Sequence, residues 1–224
     1  MKKTPTPIEG NLRKFGLRVP QCIYECSGIV VLGKRIKSLV FSTDLAIIKN
    51  VNADAVFAVH PFTPQPAISG GIIQAADIPV FAGVGGGLTK GERVTQIALF
   101  SEMQGAVGVV VNAPTENKTI ETLSAALDIP VVITVVAEGS DIGGRLDAGA
   151  KIINVSAADK TPDVVREIRE QFHSVPIIAT GGPTEESIRK TIAAGANAIT
   201  WTPPSTGEVF SDIMEAYRKG LPHP

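Results

Sequence analysis

Residues 176–201 read PIIATGGPTEESIRKTIAAGANAITW, and this stretch contains two apolar runs with a polar, periodic segment between them. Its first apolar run, residues 176–179, is short and nearly continuous, which is typical of a parallel strand that is covered on both faces. The run ends in a glycine pair, after which Pro183 and two acidic residues indicate the beginning of a helix. Gly195 follows that helix, and a second apolar run occupies residues 198–201. The stretch therefore predicts a strand, a helix and a second strand parallel to the first.

The same alternation of strand and helix extends outward from this stretch over most of the chain. Eight short apolar runs, most of them rich in β-branched residues, alternate with stretches whose apolar residues recur at three- and four-residue spacing. Such a repeat, with no linker to divide it, predicts a single closed (β/α)8 TIM barrel. An open doubly wound sheet is the alternative, but its glycine-rich turn would follow the first strand, whereas glycine clusters here follow the third and seventh runs. The runs are residues 39–41, 55–59, 79–82, 107–111, 130–136, 151–155, 176–179 and 198–201.

The beginning of the chain does not share this repeat. Residues 1–36 form a predicted N-terminal extension, which leaves residues 37–224 for the barrel. A hairpin with strands at residues 29–32 and 36–41 would close the N-terminal end of the barrel. Residues 5–15 predict a short helix. We expect the extension to serve the architecture of the protein rather than its chemistry.

Positive charge is concentrated at the start of the chain. Residues 1–37 contain eight Lys or Arg residues and two acidic residues, a net charge of +6, although the whole chain has a net charge of −1. A solvated terminal segment would explain this pattern, and so would a basic arm that lies on an acidic neighbouring subunit. The second interpretation predicts a homodimer or a larger oligomer. The apolar residues that such an interface could bury are Phe15, Leu17, Val19, Ile23 and Tyr24.

The overall composition excludes several classes of protein. A net charge of −1 attracts neither nucleic acid nor an anionic membrane, and the sequence has no apolar run long enough to span a bilayer. Cys22 and Cys26 are the only cysteines, and two thiols without a third ligand nearby do not make a closed zinc site. No group of His, Asp and Glu residues has the spacing of metal ligands, so no metal is predicted. We expect reduced thiols and a cytoplasmic protein.

The loops after the last two strands predict a phosphate site. The glycine pair after the seventh strand would let the backbone approach a phosphate, and the helix that follows offers N–H groups at the positive end of its dipole. The loop after the eighth strand adds hydroxyl groups beside two prolines, which have no N–H to donate. A tight turn without a ligand is the alternative explanation of the glycines. The predicted phosphate ligands are Gly181, Gly182, Thr202, Ser205 and Thr206, with Gly86 and Gly87 after the third strand as a second anion site.

Residues 180–201 resemble the superfamily of ribulose-phosphate-binding barrels, which includes phosphosugar epimerases, thiamine phosphate synthase and indoleglycerol phosphate synthase. This resemblance implies an aldolase-type barrel that binds a small phosphorylated metabolite. Residues 149–205 are also similar to the aldolases that cleave keto-deoxy-phosphogluconate, and residues 79–114 to the dihydrodipicolinate synthase family. Those two families use a Schiff-base lysine, but Thr200 stands at the position expected from the first, and the sixth strand contains IINV. The two likenesses therefore support the fold and not the imine chemistry.

Candidate acids and bases stand at the C-terminal ends of the strands, where barrel active sites form. Glu138 follows the long fifth strand, where partial burial would suit a general base, and a solvated loop acid is the alternative. His60 ends the second strand and could transfer protons, unless it is a hydrogen-bonded structural histidine. Asp44 could act in the same way or only cap the first helix. The five candidate catalytic residues are Glu138, His60, Asp44, Asn112 and Asp159.

These features predict an enzyme that acts on a small phosphorylated metabolite by acid–base chemistry of the isomerase, epimerase or lyase type. The sequence contains neither the Gly-x-Ser-x-Gly motif of serine hydrolases nor the P-loop of nucleotide triphosphatases. Two alternatives stay open. A barrel of this kind can hold the phosphate of flavin mononucleotide at the same loops, although few aromatic residues are available to stack on a flavin. A non-catalytic binding or assembly protein is the second alternative. No other cofactor is predicted.

Overall fold

A closed barrel of eight parallel strands occupies the centre of the structure, a computed structural model that describes residues 6, 8, 10 and 16–223. Each barrel strand pairs with the next along the chain, and the last pairs with the first. An antiparallel hairpin of β1 (Ile29–Val31) and β2 (Lys34–Ile36) precedes the barrel. The barrel strands are β3 (Ser38–Phe41), β4 (Ala55–Ala58), β5 (Val80–Gly85), β6 (Gly108–Val111), β7 (Val131–Val135), β8 (Ile152–Val155), β9 (Ile177–Thr180) and β10 (Ala198–Trp201).

One α-helix follows each barrel strand, as the repeat in the sequence predicted. The (β/α)8 barrel is therefore confirmed. Two helix ends are fixed by reciprocal capping boxes, in which Thr184 pairs with Ser187 and Ser205 with Glu208. The helices are α1 (Leu45–Lys49), α2 (Pro66–Ala75), α3 (Glu92–Met103), α4 (Asn117–Ala126), α5 (Ile142–Asp147), α6 (Thr161–Gln171), α7 (Glu185–Ala193) and α8 (Thr206–Arg218). Within the described part of the chain, none of them has the length and apolar character needed to cross a bilayer.

The interior of the barrel is packed by apolar side chains. Phe81 is fully buried there, and its ring centroid lies 6.4 Å from that of Phe57. A Cβ atom at Gly108 would stand only 2.7 Å from the Phe81 ring, so the neighbouring strand needs a glycine at that position. A second apolar core lies between the outer faces of the strands and the helices. Both cores are apolar, and the polar loops meet at the C-terminal ends of the strands.

The hairpin covers the N-terminal end of the barrel. Ile29 and Ile36 are buried against residues of the barrel interior. Leu32 and Gly33 form the turn with φ angles of +47° and +81°, and positive values at both central residues suit the twist of a tight hairpin. The hairpin is shorter than predicted, because its second strand ends at Ile36 and residues 38–41 pair in parallel with the barrel. The helix predicted for residues 5–15 lies outside the described residues.

Two of the apolar residues proposed for an interface between subunits are buried within their own chain. Val19 and Ile23 are buried in the outer core, and Leu17 and Tyr24 pack against it. Val19 and Ile23 are therefore not available to a neighbouring subunit, contrary to the prediction, whereas Leu17 and Tyr24 are half-buried and Phe15 lies outside the described residues. The two thiols nearby are free and buried, and burial raises the pKa of Cys22 and raises that of Cys26 to about 12. Both are therefore poor nucleophiles.

Candidate functional site

A cavity of about 690 Å³ opens among the C-terminal ends of the strands. It lies between the loops after β3, β4 and β10, and Asn112, which follows β6, also lines it. A smaller space of about 100 Å³ lies beside the loop after β5 and shares Val59, His60, Pro61 and Asn112 with the larger cavity. The larger volume is within the range of about 300–1,000 Å³ that small-molecule sites occupy. We therefore take these two adjacent spaces as the candidate active site.

His60 stands where the two spaces meet. It follows β4, is half-buried, and lines both of them. Its Nδ1 atom is buried and has no hydrogen-bond partner in the chain. The ring of Phe62 packs near the imidazole, with 6.2 Å between the two ring centroids. A buried polar atom without a partner is unfavourable, so no hydrogen bond at Nδ1 fixes the imidazole, which lines both spaces.

Asp44 lines the larger cavity, but its carboxylate already has several partners. One oxygen caps α1 by accepting hydrogen bonds from the N–H groups of Ala46 at 2.8 Å and Ile47 at 3.3 Å. The other oxygen accepts a hydrogen bond from the Thr206 hydroxyl. The hydrogen bond from Thr206, helped by the two N–H groups, lowers the pKa of Asp44. Asp44 therefore supplies a fixed negative charge and is a weak base.

The Asp44–Thr206 contact makes a testable link between the first and last loops of the barrel. Replacing Thr206 by valine removes the hydroxyl donor, so we expect the pKa of Asp44 to rise. An NMR titration of the carboxyl carbon measures this shift. Because the pKa of Asp44 is lower in the folded chain than in the unfolded chain, its carboxylate stabilises the fold above the unfolded pKa and loses that contribution as the pH falls. T206V should therefore weaken the acid dependence of the unfolding free energy, and an unchanged Asp44 titration would contradict the contact.

Three of the five residues predicted to bind phosphate at the last two loops donate hydrogen bonds within the chain. The N–H of Gly181 donates to the carbonyl of Thr200 at 3.2 Å. Both the N–H and the hydroxyl of Ser205 donate to one Glu208 oxygen at 2.7 Å, and these bonds lower the pKa of Glu208. The hydroxyl of Thr206 is bonded to Asp44. Phosphate binding by these loops stays a prediction. A phosphate bound to Ser205 would have to displace the carboxylate of Glu208, and one bound to Thr206 would approach the carboxylate of Asp44.

Packing within the chain requires glycine at two positions of the predicted phosphate sites, so these glycines do not by themselves indicate a ligand. Gly182 has a φ of +78°, and a Cβ atom there would lie 2.6 Å from the Ser187 hydroxyl of the capping box. A Cβ at Gly86 would lie 2.1 Å from the Thr115 hydroxyl and 2.7 Å from the N atom of Asn112, so the loop after β5 needs glycine to approach the loop after β6. The N–H of Gly86 donates to Thr89 at 3.0 Å. Gly87 is exposed and lines the smaller space.

Two predicted catalytic acids lie outside the residues that line the candidate active site. The side chain of Glu138 is 51% exposed, and its carboxylate stands 3.8 Å from the ammonium of Lys160. The partial burial on which its proposed role as a base depended is therefore missing. Asp159 is also exposed, in a single turn of 3₁₀ helix before α6. The structure brings together His60, Asp44 and Asn112 from the five candidates.

The larger cavity has an acidic wall that the sequence did not reveal. Asp44 and Glu208 line it, whereas its described lining residues include neither lysine nor arginine. Glu208 follows Ser205 by three residues, and this spacing, which is typical of a capping box, could have drawn attention to it. Carboxylates accept hydrogen bonds, so this wall suits hydroxyl groups of a ligand better than a phosphate. Among the described residues, no three side chains of His, Cys, Asp and Glu are grouped in a way that could hold a metal ion.

Comparisons with known proteins define the fold class. A scan against models of protein families gave no match, and a search of curated protein sequences gave none either. Among solved structures, the phosphoenolpyruvate phosphomutase from Streptomyces platensis subsp. rosaceus is similar, with a TM-score of 0.64 and 15% identity over 90% of this chain and 87% of that chain. A phosphonopyruvate hydrolase has a TM-score of 0.61 and 16% identity over 85% of each chain. A dihydrodipicolinate synthase has a TM-score of 0.56 and 12% identity over 82% of this chain and 76% of that chain.

These similarities show that the chain has the (β/α)8 barrel fold. At identities of 12–16% these similarities establish the fold only. The reaction has to be inferred from the residues that line the candidate active site. The resemblance to the ribulose-phosphate-binding superfamily stays a prediction.

Proposed function

We propose that this protein is an enzyme that carries out acid–base chemistry of the isomerase or lyase type on a small phosphorylated or carboxylated metabolite, with His60 as the proton-transferring residue. The observation that carries the proposal is the position of His60, the one imidazole among the described lining residues of the mouth, where it lines both spaces and its Nδ1 has no partner within the chain. An imidazole can both accept and donate a proton, and the end of the barrel where it stands is where barrel enzymes assemble their active sites.

The other lining residues define what this site would bind. The carboxylates of Asp44 and Glu208 would accept hydrogen bonds from substrate hydroxyl groups, and the Asn112 amide could donate to a carbonyl oxygen. His60 would take a proton from the carbon next to that carbonyl. The C–H electron pair would then move into an enolate, whose oxygen the Asn112 amide would stabilise. Return of the proton to another position gives an isomer, and loss of a leaving group from the enolate gives a lyase product.

The class of substrate is supported by the names of the similar structures. A phosphoenolpyruvate phosphomutase and a phosphonopyruvate hydrolase are named for small acids that contain phosphorus. A substrate of this size fits the cavity of about 690 Å³. The acidic wall formed by Asp44 and Glu208 disfavours placing the phosphate beside it. We therefore propose that the hydroxyl or carbonyl part of the substrate occupies the larger cavity.

Proton exchange with solvent tests the proposed chemistry even when the product is unknown. The protein is incubated in D₂O with a panel of phosphorylated sugars, phosphorylated acids and 2-oxo acids, and the C–H signals next to each carbonyl are followed by proton NMR. We expect at least one compound to lose such a signal or to be converted. A panel without exchange or conversion would count against the proposal. Purified protein with the absorption of a flavin would instead favour the flavin alternative.

We also propose that the protein is a homodimer or a larger oligomer, with α8 rather than the N-terminal arm at the interface. Each of α1–α7 buries at least one residue against the barrel, whereas none of residues 206–218 is buried. Phe210 is 62% exposed on this helix, and Tyr217 is exposed two turns later. An apolar stripe of this kind is suited to a second copy, because closed two-fold dimers are the commonest oligomers.

Light scattering during gel filtration measures this directly. The intact protein should have the mass of a dimer or larger, and Phe210→Ser should shift it toward the monomer. Met103→Ser, at an exposed apolar residue on the end of α3, is the matched control and should leave the mass unchanged. An intact protein that is monomeric at micromolar concentration would show that the idea is wrong.

A further inference from the structure

A separate cavity of about 260 Å³ lies between the beginnings of α3 and α4. Lys90, Gly91 and Val94 line it from the side of α3, and Thr115 and Glu116 from the side of α4. Thr89 lines both this cavity and the small space beside His60, so the two lie on either side of the same loop. Its volume is several times the roughly 30 Å³ that a water molecule occupies in the liquid. It therefore has room for a polyatomic group.

Thr115 has a buried hydroxyl without a partner in this cavity wall. The residue is only 4% exposed, and its Oγ1 atom makes no hydrogen bond within the chain. Arg145 stabilises the loop that carries Thr115. Its guanidinium donates hydrogen bonds to the carbonyls of Thr115 and Ala113 and to the side chain of Asn117. A buried hydroxyl without a partner is unfavourable, and an acceptor atom of a ligand in this cavity would satisfy it.

The first turn of α3 faces the same cavity and has no side-chain cap. Gly91 is its N-cap residue, and a Cβ atom built on Gly91 would meet no other atom within 4 Å. The backbone there has φ +60° and ψ −140°, a conformation that strongly favours glycine. No described side chain therefore accepts hydrogen bonds from the first N–H groups of this 12-residue helix, which lie at the positive end of the helix dipole. Such a helix end attracts anions.

The charged side chains around the cavity define the ligand further. Lys90 lines it with a positive charge, and Glu116 lines it with a negative charge. Glu92, in the first turn of α3, is turned to Gln96, which donates to its carboxylate at 3.2 Å. A ligand that fits these charges has an anionic group, which pairs with Lys90. It also has a neighbouring hydroxyl group, which donates a hydrogen bond to Glu116.

We propose that this cavity binds a phosphate monoester group. The N–H groups of the first turn of α3, the ammonium of Lys90 and the hydroxyl of Thr115 donate to the phosphate oxygens, and Glu116 accepts from a hydroxyl of the same molecule. The phosphate belongs either to the substrate that reaches His60 past Thr89 or to a separate ligand that binds only here. Phosphate binding itself does not depend on the reaction proposed at His60, so the two proposals can fail independently.

Titration of the ¹⁵N-labelled full-length protein with inorganic phosphate, at constant ionic strength, tests the site. We expect saturable shifts of the amide signals of residues 91–93. Lys90→Met should weaken phosphate binding by about tenfold or more, because it removes a charged hydrogen bond. Lys118→Met is the matched control, since this exposed lysine on α4 pairs with Glu121 and does not line the cavity. The control should bind phosphate as the original protein does.

Two further variants should change the affinity for phosphate in opposite directions. Thr115→Val removes the hydroxyl and keeps the shape, so phosphate binding should weaken while thermal stability is unchanged or raised. Glu116→Gln removes the opposing charge, so binding of inorganic phosphate should become tighter. Absence of saturable shifts, or equal weakening by Lys90→Met and Lys118→Met, would overturn the proposal.

Kinetics with any substrate found at His60 separates the two sources of the phosphate. If the phosphate is the substrate's own, inorganic phosphate should inhibit competitively and Lys90→Met should raise KM with little change in kcat. If the ligand is a separate one, the substrate's kcat and KM should be unaffected by Lys90→Met, while the loss of phosphate binding in the titration is retained.

Discussion

Replacing Phe81 by alanine is expected to lower the free energy of unfolding by about 3–5 kcal/mol. The side chain is fully buried inside the barrel, where it packs against Phe57 and the backbone at Gly108. Truncation would leave a void that strands on both sides cannot fill, because each is held by hydrogen bonds to its neighbours. A loss of this size is a large share of the stability of a typical domain.

Denaturation with urea, followed by circular dichroism, measures this loss. Phe62→Ala provides a matched control, because Phe62 is 72% exposed and its removal should change the unfolding free energy by no more than about 0.5 kcal/mol. Similar losses in the two variants would contradict the packing described for the barrel interior.

Replacing His60 by glutamine is expected to reduce kcat/KM by about 10²–10⁴, the usual contribution of a general acid or base. Glutamine has a similar size and can form hydrogen bonds, but its amide cannot take up or release a proton near neutral pH. The cavity should therefore keep its shape and its substrate affinity while the proton transfer is lost.

The rate with the substrate found by deuterium exchange measures this effect. His173→Gln is the matched control, because His173 is exposed in the loop before β9, where its Nδ1 lies 3.0 Å from the Arg169 carbonyl. The control should retain full activity, and both variants should keep the thermal stability of the original protein. A His60→Gln protein with undiminished kcat/KM would remove His60 from the mechanism.

The fold could be predicted from the sequence because each unit of the repeat has a local signal. Continuous apolar runs such as residues 130–136 indicate strands that are buried on both faces, and glycines such as Gly195 end the helices between them. The end of the hairpin was predicted too late in the chain, because residues 36–41 read IKSLVF and contain neither glycine nor proline between the hairpin and the first barrel strand. Without such a residue, the sequence does not show where one strand stops and the next begins.

The site was harder to predict because a strand end does not reveal what surrounds it. His60 and Glu138 both follow apolar strands, yet His60 is half-buried between two cavities and Glu138 is exposed beside Lys160. Ser205 has the residue type of a phosphate ligand, but Glu208, one helical turn away, occupies its hydroxyl. The open end of α3 depends on the absence of a capping side chain at Gly91 and on the approach of a distant loop, neither of which produces a motif.

We expect the substrate to react in the mouth cavity beside His60. A crystal structure of the His60→Gln variant with the substrate found by deuterium exchange would show where the reacting carbon lies. We predict that the carbon whose proton exchanges lies in the mouth cavity, close to the side chain at position 60, with its carbonyl oxygen facing Asn112. Geometry suitable for proton transfer would place that carbon within reach of the position occupied by the imidazole in the original protein. A substrate whose reacting carbon lies outside the spaces lined by residue 60 would contradict this expectation.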